Sequence, residues 1–120
     1  MTVRVFQYDL PRDYSPAELE MYRELTVFGA ASYDEEKHAE LFEYKASLNT
    51  DSLDEAFMIL NRWNDSDLEK IEYIEKMCKS MSVGDILELE VDTVVTTYMV
   101  DRVGFTEIRE PTINCFAQVA

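Results

Sequence analysis

The chain has 120 residues, with 25 acidic against 11 basic side chains, a net charge of −14, 47% hydrophobic and 12% aromatic residues. This length suits one domain whose core needs no metal or disulfide staple, and the apolar content excludes a disordered tail. Both halves of the chain are net acidic, and such a surface repels phosphate backbones and anionic lipid, so no direct nucleic-acid or membrane binding is expected.

Residues 2–10, TVRVFQYDL, alternate imperfectly, with Val3, Val5 and Tyr8 set against Arg4 and Gln7. They predict a first strand with one face in the core. Ser15 and Glu18 then make a capping box, with Pro16 at the first helical position. Leu19, Tyr22 and Leu25 give this helix one apolar stripe. The pattern fades from Thr26 to Ala39, where Gly29 and the acidic run 34–36 suggest a connection with a turn of helix at 34–39. Residues 41–48 alternate cleanly, Phe42, Tyr44, Ala46 and Leu48 against Glu43, Lys45 and Ser47, and predict a half-buried strand.

Residues 50–63 carry the clearest helical pattern. Ser52 caps, Glu55 completes a second capping box, and Leu53, Ala56, Phe57, Leu60 and Trp63 form a core face. Residues 64–80 repeat the device with Ser66 and Glu69, and the stripe Leu68, Ile71, Ile74 and Cys78 predicts a third helix. Residues 86–91, 94–100 and 103–109 read as a strand meander, with a turn near Asp92 and a tighter one from Asp101 to Gly104. INCFAQV, after Pro111, adds an edge strand. The expected fold is α+β over residues 1–120 as a single domain. A C-terminal three-stranded meander plus N-terminal strands form an antiparallel sheet packed against two or three helices.

Residues that bear chemistry are sparse. Cys78 and Cys115 are too far apart for a zinc or disulfide signature. No basic-apolar leader opens the chain, and no apolar run nears the roughly 18 residues that span a bilayer. A reducing cytoplasm, of the host cell for a phage-borne chain, is the expected setting, with both thiols reduced and partly buried. The one histidine, His38, reads as a surface residue beside Glu35 and Glu36, ahead of a weak cation site with Asp34. Two Val-Gly pairs stand beside alternating stretches, at 83–84 and 103–104. Asp85, directly after the first, reads as a turn residue rather than a reacting group, because no second carboxylate or histidine is set to share its proton. No phosphate loop, dinucleotide fingerprint or nucleophile elbow occurs. The expectation is a chain that is not an enzyme and takes no cofactor.

Three stretches in order, SLDEAFMILN (52–61), SMSVGDILEL (80–89) and TYMVDRVGFTEI (97–108), resemble the small YodL-like family of bacterial genomes, plasmids and phages. The family commonly carries a short basic loop, often containing Arg-Gly-His, before the Ser-Val-Gly-Asp turn; here stands the acidic NDSDLEKIEYIEKMCK. The resemblance implies no established activity, and it implies a mobile-element setting.

Acidic side chains are therefore the candidate working groups. Glu20 and Glu24 lie one turn apart on the first helix, and Asp65, Asp67, Glu69 and Glu72 line the predicted third helix, though Lys70 and Lys76 interrupt that row. A rigid row of carboxylates can copy phosphate spacing and occupy a basic groove, while a charge row is otherwise the solvated face of a helix. The expected function is a phage- or mobile-element-encoded acidic interaction protein. It binds and inhibits or modulates a host protein, one that binds nucleic acid or serves defence. The alternatives are a self-associating accessory protein, pairing through the edge at INCFAQVA, and a small ligand-binding module.

Overall fold

Val3 and Val5 are fully buried, and they place β1 (Thr2–Gln7) in the middle of an antiparallel sheet between β2 (Glu43–Leu48) and β4 (Ile86–Val91). The computed structural model describes residues 1–61 and 69–113. Beyond these strands lie β3 (Ile71–Ile74), β5 (Val94–Val100), β6 (Phe105–Glu107) and β7 (Thr112–Ile113). The sheet order is β3-β2-β1-β4-β5-β6, with β7 pairing the other end of β5. The fold is α+β, with the C-terminal meander β4-β5-β6 joined to the N-terminal strands.

Helices cover both faces. Val5 pairs Leu87 and Phe6 pairs Ile86, and successive strand residues point to opposite sides. On one side Val3, Val5, Leu48 and Leu87 pack against Ala56, Ile59 and Leu60 of α3 (Leu53–Leu60). On the other, Ile86, Met99 and Tyr8 pack against Leu25 of α1 (Pro16–Phe28). Burying one such side chain contributes about 1.5–3 kcal/mol, so both layers are needed. α1 begins at the predicted Ser15–Glu18 capping box and runs on to Phe28, where Gly29 (φ 68°) stops it. The β4–β5 hairpin turns on Asp92 (φ 50°) and Thr93 (φ 71°), the left-handed pair that matches strand twist in a two-residue loop.

Four expectations are corrected. Over 71–74 the predicted third helix is instead the edge strand β3. Leu48 pairs Ile71 and Ala46 pairs Ile74, so Glu72 is an extra, bulged residue. The bulge puts residues three apart on one sheet face, which reads in sequence as a helical stripe. Leu68, Ser66 and the two acidic positions Asp65 and Asp67 lie outside the described residues, as do Trp63 and the edge strand expected beyond Ile113. In β2 a second bulge sets Val5 opposite Ala46 but Phe6 opposite Tyr44, so Tyr44 leaves the Ala46 face and packs on Phe6 with centroids 5.6 Å apart. Lys45, in the bulge, is buried and paired with Asp9. The second capping box is half formed. Ser52 Oγ accepts from Glu55 N (3.1 Å), while the Glu55 carboxylate takes Lys70 Nζ (2.8 Å) and Ser52 N donates to Thr50.

His38 is the fourth correction: it is buried, at 1% exposure. Its Nδ1 accepts the Asp34 amide (2.9 Å), so Nε2 carries the hydrogen and donates to Glu24 (2.9 Å). Asp34 instead caps the short helix α2 (Glu35–His38) through the Glu36 and Lys37 amides. Both ring nitrogens are used, and the pair forms no cation site. No helix among the described residues is long and apolar enough to cross a membrane.

Candidate interaction cleft

Asp85 is 6% exposed and closes the turn between residue 81 and β4. Its Oδ2 accepts the Ser82 amide (3.0 Å) and Gln7 Nε2 (3.1 Å), the backbone-binding role of an Asp in a turn. Burial pushes its carboxyl up to about 6, against the opposing pull of the Ser82 amide and the Gln7 side chain. Gln7, fully buried on β1, also bonds both the N–H and the C=O of Lys79, each at 3.0 Å. A side-chain amide there acts as a strand neighbour for a segment that is not itself a strand. Gly84 (φ 98°) lets the turn press onto α1, where a Cβ would lie 3.0 Å from the Leu25 carbonyl oxygen.

Opposite this turn stands the one between β5 and β6. Asp101 N–H donates to Gly104 O (2.9 Å) and closes it. The Asp101 carboxylate accepts the Arg102 amide (2.8 Å) and the Thr106 hydroxyl (2.7 Å), and the Ala30 amide also donates to it. These donors, the Thr106 hydroxyl first, hold its carboxyl below the usual range. Gly29 has no Cβ, and one built there would collide with Asp101 Oδ1. The end of α1 is thus fastened to both turns.

Between the two turns and the start of α3 lies a cleft of about 500 Å³. Phe57, Val83, Val100 and Phe105 line it with apolar surface, and Phe57 and Phe105 meet edge to face at 6.5 Å. Asp54, Ser82 and Arg102 supply its polar rim. Val103, at the tip of the second turn, is 92% exposed, and Phe28, next to Gly29, is 58% exposed. A second hollow of about 350 Å³, between α3 and β3, is lined by Ile59, Leu60, Ile71 and Met77; it borders the stretch outside the described residues.

Of the acidic candidates, Asp65 and Asp67 lie outside the described residues. Glu20 is exposed on α1, but Glu24 is engaged by Lys37 Nζ (2.9 Å) and His38, which lower its carboxyl in that order. Glu69 and Glu72 are exposed at the β3 edge of the sheet. The cleft residues were not singled out as a site from sequence. The available signal was the three family-like stretches, since 52–61 brings Asp54 and Phe57, 80–89 brings Ser82 and Val83, and 97–108 brings Val100 to Phe105.

The fold and cleft define an α+β domain with an apolar groove, rimmed by charged side chains of both signs, at one end of the sheet. The chain belongs to the YodL-like domain family, whose model matches residues 2–110. No curated protein and no solved structure matches it.

Proposed function

We propose that this YodL-like domain is an acidic interaction protein of a phage or other mobile element that binds and modulates a host protein in the host cytoplasm. The carrying observation is the cleft, where three separate stretches converge on an apolar floor with Asp54, Asp101 and Arg102 at its rim. The charge of −14 selects a partner with a basic surface, such as one that binds nucleic acid. In this reading the exposed carboxylates, Glu20, Glu69 and Glu72 among them, steer the encounter, and the cleft supplies short-range contact. The test is a tagged pull-down from bacterial lysate, washed at low and raised salt, with partners identified by mass spectrometry. The expected result is a stoichiometric nucleic-acid-binding protein that raised salt or added DNA releases. No stoichiometric partner under either wash removes the reading.

A further inference from the structure

The cleft opens beside an unpaired sheet edge. Asp101 N–H bonds Gly104 O (2.9 Å) and Ile108 N–H bonds Thr97 O (3.0 Å), and Met99 lies opposite Thr106 between them. In an antiparallel ladder the bonded positions alternate, so residues 104, 106 and 108 face β5. The N–H and C=O groups of Phe105 and Glu107 therefore point away from it. β6 ends the sheet on this side, and no strand among the described residues pairs with its outer edge. Phe105 sits on the α3 face against Phe57, and Glu107, two residues on, shares that face.

Resting on the interaction reading above, we propose that the outer edge of β6 receives an extended segment of the partner as an added strand. The segment carries one large apolar side chain with a Lys or Arg two residues away. Its backbone exchanges hydrogen bonds with Phe105 and Glu107, which is recognition by strand addition. Every second side chain of such a strand projects on the α3 side. The apolar one enters the cleft beside Phe105, Phe57 and Val83. The basic one meets Glu107, with exposed Asp54 at the cleft rim. Asp54 is exposed and forms no ion pair among the described residues, so its charge is available to a partner. A three-residue edge gives few backbone bonds, and specificity then rests on the cleft and the carboxylates.

The test selects binders from a random 12-residue display library with the full chain as bait, and titrates the synthesised consensus peptide. The expected consensus has a large apolar residue two positions from Lys or Arg. Glu107→Pro removes only an outward N–H, at a position where an edge strand tolerates proline. It should weaken the peptide about ten-fold or more, with the urea midpoint unchanged. Glu107→Gln, which keeps the N–H, should cost only about three-fold, and Asp54→Lys about five-fold, both removed by high salt. A consensus without a basic residue, no selected peptide, or equal affinity of the Glu107→Pro chain overturns the proposal. A host protein captured equally by wild-type and Glu107→Pro chains leaves the interaction reading standing and removes β6 as its seat.

Discussion

The two Val-Gly turns face each other across one cleft and are built in opposite ways. Gly84 is buried against the Leu25 backbone, whereas a Cβ on Gly104 would meet nothing within 4 Å. Asp85 is buried and its carboxyl is raised, while Asp101 is half-exposed with its carboxyl lowered by a hydroxyl and two amides. Val83 is partly covered and Val103 stands in solvent. The same dipeptide thus serves as a fixed wall at one place and an open lip at the other. What differs is the neighbour: the Leu25 backbone of α1 presses on the first turn, while Gly29 and Ala30 meet the second at the Asp101 carboxylate.

Substitutions at the two glycines break or sharpen this contrast. Gly84→Ala adds a Cβ at 3.0 Å from Leu25 O on a backbone with φ 98°. Left-handed strain of about 1–2 kcal/mol plus displacement of α1 should total about 3 kcal/mol or more, read as a lower urea midpoint. Next comes Asp85→Asn, compared with wild type at two pH values. A carboxyl raised to about 6 favours the fold while protonated. Its contribution is full below about pH 4 and is lost as pH rises through about 6. The asparagine oxygen can still accept from Ser82 and Gln7, so the variant should be more stable than wild type by about 1–2 kcal/mol at pH 7.5, and the gain should vanish near pH 4. A gain independent of pH would show that Asp85 does not titrate in the folded chain. The smallest effect belongs to Gly104→Ala, where only φ 69° opposes the side chain, at about 1 kcal/mol. Equal losses at Gly84 and Gly104 would erase the distinction between wall and lip.

Much of the fold was legible where local signals and tertiary demands agree. The Ser15 capping box, the alternation of β4 and β5 and the turn at Asp92 all form as the residues suggest. Reading failed where a bulge shifts the period. Glu72 turns a three-residue spacing into a strand face, and the bulge at Lys45 divides Tyr44 from Ala46. Such shifts show only in the pairing with the partner strand, and neither Lys45 nor Glu72 departs from what an unbulged strand accepts. His38 looked solvated because its neighbours in sequence are acidic, but Glu24, fourteen residues earlier, gives it a buried partner. Of the site, the turn role of Asp85 was legible from its glycine. The cleft was not, since its walls come from three stretches that only the sheet brings together.

β1 lies in the middle of the sheet, and both its neighbours come much later in the sequence. Until β2 and β4 are synthesised, neither of the strands that flank β1 in the sheet is present. Its first neighbour, β2, arrives some 40 residues later, and β4 only after residue 86. The Gln7 clamp must likewise wait for Lys79. Pairings this distant in sequence form slowly and leave apolar strands exposed meanwhile. The dense negative charge spread along the chain can keep growing copies from pairing through β1 before their own later strands emerge. On that view the acidity protects the nascent sheet as well as dressing the finished surface.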